Sequence, residues 1–126
     1  CYCGKKGCVD AYCSALRLAD MEDGILENFF VHLEEGSEEH KKVWEEYMEN
    51  LALTVDNLRM IFDMDVVLGG YVGCYMEPYI PELQKRLSEL DIFERRGNYV
   101  RACGCRSEAS AFGSAIYQME KYIESI

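Results

Sequence analysis

The chain has 126 residues, with 23 acidic against 13 basic side chains, a formal net charge of −10 and 49% apolar residues. That size allows one domain or part of a larger one, and the apolar share is enough to build a core, which argues against a disordered chain. The acidic balance opposes a phosphate backbone, so this segment is not expected to contact nucleic acid directly.

Residues 1–8 read Cys-Tyr-Cys-Gly-Lys-Lys-Gly-Cys, in which Gly4 and Gly7 permit a tight loop. Val9, Tyr12, Cys13, Leu16 and Ala19 then recur at helical spacing and predict a helix to about Ala19, followed by a polar break over 20–24. A second short helix is predicted from Ile25 to Leu33. Ser37 has N-cap chemistry, and Glu38 and Glu39 suit the first turn of a helix, where its dipole favours acids. Val43, Trp44, Tyr47, Met48, Leu51, Val55, Leu58 and Phe62 mark one face of what reads as the longest helix. Its aromatic residues read as core or subunit interface, the Glu-rich stretch 34–49 as a solvated face, and His32 and His40 as surface residues.

Val66-Val67-Leu68, closed by Gly69-Gly70, reads as a buried parallel strand and a turn. Met76, Tyr79, Ile80, Leu83, Leu87 and Leu90 predict a further helix, with Pro78 and Pro81 acceptable only near its first turns or at a kink. Residues 91–98 predict a connecting loop, Tyr99 to Cys103 a second strand, and 104–107 the approach to a final helix ending near Tyr122. Ala109, Ala111, Gly113 and Ala115 in that helix would let its backbone pack closely against a sheet. Residues 66–126 therefore form a strand-helix-strand-helix unit of an α/β fold, and with no linker along the chain, 1–126 reads as a single domain. No apolar run is long enough to span a bilayer and no secretory signal pattern is present, so a soluble cytoplasmic protein is expected.

Seven cysteines, four of them within the first thirteen residues, make an odd total that weighs against a disulfide framework. Cys1, Cys3 and Cys8 on a glycine-bent loop have the chemistry to converge on one Zn2+, with Cys13 a candidate fourth sulfur; the other reading is a set of free thiols. Cys103 and Cys105 form a weaker metal candidate. Asp10 suits the first turn of the helix starting at Val9. Gly69-Gly70 allows either a phosphate to approach the backbone or simply a tight strand-to-helix turn.

The run Cys1-Tyr2-Cys3-Gly4-Lys5-Lys6-Gly7-Cys8-Val9-Asp10-Ala11-Tyr12 resembles the cysteine motif of the ROK family of repressors, open reading frames and sugar kinases. The resemblance continues through Asp56-Asn57-Leu58, Phe62 and Val66 to Gly70, and on to the small-residue helix around Ala109 to Ala115. It implies the helix-rich C-terminal lobe of an actin-like (ribonuclease H-like) ATPase and sugar-kinase fold with a short parallel sheet. The chain is then a piece of a longer protein, with ATP and sugar bound between this lobe and a preceding one. The resemblance also implies a structural zinc on Cys1, Cys3 and Cys8, whose fourth ligand is a histidine upstream of this chain. It implies a sugar-binding carboxylate at Asp10, where the family usually has Glu, and a nucleotide-binding turn at Gly69 and Gly70.

In kinase members that turn usually carries a third glycine, and here the position is Tyr71. This departure favours the sugar-sensing half of a transcriptional regulator, similar to the xylose and N-acetylglucosamine repressors. The other implied function is the C-terminal lobe of an ATP-dependent hexose kinase similar to glucokinase, and only that reading calls for ATP and Mg2+. The catalytic aspartate belongs to the N-terminal lobe in the family, so this chain is not expected to transfer phosphate alone. The implied partners are a sugar ligand, the N-terminal lobe and a second copy in a homodimer, and a purely dimerising scaffold is a third reading.

Overall fold

The longest apolar stripe sets the architecture, because helices whose one face is apolar must bury that face against each other. The structure, a computed structural model, describes residues 1–93, 95–105 and 108–126. In chain order it forms α1 (Val9–Cys13), α2 (Ala15–Ala19), a 3-10 turn (Asp20–Glu22), α3 (Leu26–Glu34) and α4 (Glu38–Phe62). Then come β1 (Val66–Leu68), α5 (Gly70–Gly73), a second 3-10 turn (Glu77–Tyr79), α6 (Ile80–Leu90), β2 (Val100–Ala102) and α7 (Ala109–Glu124). The loop expected at 91–98 includes Glu94, and the approach to the last helix includes Arg106 and Ser107; these three lie outside the described residues.

From α4, Trp44, Tyr47, Met48, Leu51, Ala52 and Val55 are buried, as their spacing predicts. Leu58 and Phe62 continue the same stripe but are 39% and 58% exposed, since α4 runs past the elements that cover it. Phe29, Phe30 and Leu33 of α3 and Leu83 and Leu87 of α6 fill the other side of the core. Phe30 stacks on Tyr75 with ring centroids 4.2 Å apart and meets the edge of Trp44 at 5.4 Å, the offset and T-shaped geometries that aromatic pairs favour.

Three local expectations are corrected. The helix expected from Val9 to Ala19 is divided at Ser14, whose φ of −79° and ψ of 153° are extended. The last carbonyls of α1 then have no next turn to pair with, and the buried Tyr47 hydroxyl donates to the Cys13 carbonyl at 2.8 Å. Ser37 does stand at the N-cap of α4, but its side chain makes no cap bond; Oγ instead lies 2.7 Å from His40 Nδ1. His40 is consequently buried and not a surface residue, while His32 is half-buried.

The two strands form a parallel pair with Val66 opposite Val100, Val67 opposite Arg101 and Leu68 opposite Ala102. Two further bonds at 2.8 Å lengthen the ladder, from the Val66 amide to the Tyr99 carbonyl and from the Cys103 amide to the Leu68 carbonyl. β1 is not buried on both faces, as a parallel strand commonly is. Val66 and Leu68 face the core, while Val67 is 51% exposed on the side where Arg101 also emerges. α4 packs on β1 and α6 on β2, and neither reaches the outer face. Nor does α7 cover it: α7 buries no residue, and a methyl group at Gly113 would meet nothing within 4 Å, so its small residues make no close helix-sheet contact. Among the described residues, no helix is long and apolar enough to cross a membrane.

Candidate functional site

Gly4 and Gly7 adopt φ of 74° and 80°, left-handed angles that fold the first eight residues back on themselves. The sulfur atoms of Cys1, Cys3 and Cys8 thereby come within 4.8 Å of one another, and Cys3 and Cys8 are 3.4 Å apart. Thiolates at about 2.3 Å from a tetrahedral zinc stand roughly 3.8 Å from each other, so the three sulfurs fit such an ion with little movement. The Lys5 backbone amide, followed by the Cys8 thiol, holds the Cys3 thiol below its ordinary value. Cys8, which shares its proton with Cys3, is pushed up. Of this pair, Cys3 is thus the sulfur that ionises first.

Cys13 is not the fourth ligand in this arrangement. Its sulfur turns toward α4, 4.0 Å from Thr54 Oγ1, and burial raises its thiol. Cys103 is half-buried just beyond β2 and Cys105 is exposed; neither joins a metal-binding group among the described residues. Asp10 sits exposed in the first turn of α1, with Oδ2 4.0 Å from Cys1 Sγ.

The turn after β1 comes to the same side of the molecule. Gly70 takes φ 71°, and Gly73 lets α5 lie against the end of the strand, because a Cβ there would stand 2.8 Å from the Leu68 carbonyl oxygen. Asp10, Thr54, Val66, Gly69 and Tyr71 all line one cleft of about 440 Å3 between α1, α4 and this turn. Tyr71 is 78% exposed at its rim. The cleft can therefore offer a carboxylate, a hydroxyl, an aromatic ring and glycine backbone to a single small ligand. The sequence spacing gave no sign that residues 10 and 69–71 would meet; α4 bridges them by contacting both α1 and β1. Sequence reasoning also missed a second cluster, formed by Glu22, His32 and His40 at the junction of α3 and α4.

No curated protein and no solved structure matches the chain. A family model does, and it covers nearly the whole length: the model described as ROK family matches residues 1–121. The cysteine loop, Asp10 and the Gly69-Gly70 turn all lie within that match, and the chain belongs to the ROK family.

Proposed function

We propose that the chain is the sugar-sensing C-terminal half of a ROK-family transcriptional regulator, with the actin-like lobe that this role entails. The observation that carries the reading is the shared cleft, in which Asp10 and Tyr71 line the same space. An exposed carboxylate accepts hydrogen bonds from sugar hydroxyls. Tyr71, in the place where kinase members usually keep a glycine, takes up room that a phosphate chain would need. In this reading Cys1, Cys3 and Cys8 hold a structural zinc, which supplies folding energy to the loop and fixes the start of α1 beside the sugar.

The outer face of the sheet and the exposed Phe112, Tyr117, Met119 and Ile123 of α7 support a further lobe or second copy that covers them. Sugar would then shift the population between DNA-competent and released forms. A kinase lobe is the second reading, and the observation favouring it is the Gly69-Gly70 turn itself. It exposes backbone free of side chains at the carboxyl end of a parallel strand, the edge at which such sheets take ligands.

The test is ADP release by the full-length protein with Mg-ATP and a panel of hexoses and N-acetylhexosamines, beside calorimetry of sugar binding. A sensor binds one of these sugars without turnover, whereas sugar-dependent ADP release makes the protein a kinase. Asp10→Ala is expected to weaken sugar binding about tenfold to a hundredfold, the cost of hydrogen bonds to a charged group. The variant should remain folded, and unaltered sugar affinity would return Asp10 to a helix-start role.

A further inference from the structure

At the junction of α3 and α4, three side chains far apart in sequence meet at one point. Glu22 Oε1 lies 2.9 Å from His32 Nδ1 and 2.7 Å from His40 Nε2. Glu22 ends the 3-10 turn before α3, His32 stands in the last turn of α3, and His40 in the first turn of α4. Gly36, at φ 90°, reverses the chain between the two helices and so folds both imidazoles onto the same carboxylate. The His40 ring packs 5.2 Å from the Phe29 ring, which fixes it in the core. The half-buried His32 leaves the cluster open to water on one side.

Two imidazole nitrogens and a carboxylate oxygen are a donor set suited to Zn2+ and other late first-row divalent ions. All three ligand atoms lie within 4.8 Å of one another. Ligands about 2.0–2.1 Å from a tetrahedral zinc stand roughly 3.3 Å apart. The present separations of 2.9 and 2.7 Å therefore need to widen by only about half an ångström around an ion of that size. A supporting partner is already in place. Ser37 Oγ, 2.7 Å from His40 Nδ1, can accept the proton of that nitrogen and leave the Nε2 lone pair for a metal, as the outer partners of metal-bound histidines do. A glutamate carboxyl is ionised at neutral pH, as a ligand must be.

We infer that Glu22, His32 and His40 form a second divalent-metal site, separate from the cysteine loop, that takes Zn2+ with water completing its coordination. On binding, the ion replaces the protons that the rings share with the carboxylate. For a neutral ring the displaced proton moves to the other ring nitrogen, and for a protonated ring it passes to solvent while the other nitrogen keeps its own.

The test uses the whole chain carrying Cys1→Ser, Cys3→Ser and Cys8→Ser, with Cys103→Ser and Cys105→Ser added, which removes the loop thiolates and the weaker candidate pair, and measures zinc per chain after dialysis against Zn2+. One equivalent is expected, with its affinity weakened about tenfold or more by Ser37→Ala, as loss of a supporting hydrogen bond does elsewhere. Adding His32→Ala should abolish binding. No bound zinc, or one equivalent still bound after His32→Ala, overturns the inference and leaves the cluster as a hydrogen-bonded clasp. Because substitutions near the core can disturb folding, nitrogen-15 spectra of the imidazoles in the unaltered chain provide a second readout. Zinc should shift His32 Nδ1 and His40 Nε2 selectively, and unchanged imidazole resonances at saturating zinc would equally overturn it.

Discussion

The two side-chain clusters are built in opposite ways. Cys1, Cys3 and Cys8 lie within one eight-residue loop, shaped by Gly4 and Gly7 and exposed on the surface apart from the half-buried Cys8. Glu22, His32 and His40 come from three elements and touch only because α3 and α4 pack around Phe29, Phe30 and Trp44. The first cluster depends on short-range backbone geometry, while the second depends on the core. The two clusters therefore stand on foundations of very different cost: a loop of a few residues in one case, a folded helical hairpin in the other.

The substitution that separates them most sharply is Phe29→Ala. Phe29 is fully buried against both His40 and Trp44, and deleting a buried phenylalanine costs about 3–5 kcal/mol. That is a large part of the roughly 5–15 kcal/mol by which a domain is stable. Urea unfolding should show the loss directly. Alkylation followed by mass spectrometry should show the division: Cys13, half-buried against α4, becomes fast to react, while Cys1 and Cys3 react as before. Slower or faster alkylation of the loop cysteines in Phe29→Ala would mean that the loop leans on the core after all.

Tyr47 joins the two regions, and Tyr47→Phe tests the joint. The ring stacks on Trp44 and would remain, so only the hydroxyl bond to the Cys13 carbonyl is lost. The expected cost is about 1 kcal/mol, or somewhat more because the carbonyl is left unpaired, read as a lower urea midpoint at unchanged slope. A midpoint equal to that of the unaltered chain would show that water replaces the hydroxyl and that α1 is not anchored through it.

What the residues disclosed in advance follows the same division. The α4 stripe, the Val66-Val67-Leu68 strand and the cysteine loop were legible because each is a local pattern: a period of three to four, an apolar run before two glycines, three thiols around two glycines. The break at Ser14 was not legible, since apolar spacing continues across it and the extended backbone is held by Tyr47, thirty-three residues further on. Ser37 looked like an N-cap and stands at one, yet its hydroxyl is taken by His40, a competition that spacing does not rank. His40 was misread because its neighbours Glu38, Glu39 and Lys41 are solvated; only the fold turns that one position inward. The small residues of α7 suit a sheet contact that the fold does not make, because a small side chain permits close approach without supplying a partner.

The smallest effect belongs to the cluster that spacing did reveal. Cys3→Ala removes an exposed sulfur that packs against nothing in the core, so in zinc-free buffer the unfolding free energy should change by no more than about 0.5 kcal/mol. Its consequence is chemical. Cys8 is held above the ordinary thiol value of 9.0 first of all by the proton it shares with Cys3. A raised value means less thiolate at any given pH below it, and hence slower alkylation. Taking Cys3 away should move the pH midpoint of Cys8 alkylation downward and speed the reaction near neutrality. A midpoint that stays in place would mean that the 3.4 Å approach of the two sulfurs does not persist in solution. The loop would then assemble its thiols only around an ion, and the contrast with the core-built histidine cluster would widen from one of sequence distance to one of pre-organisation.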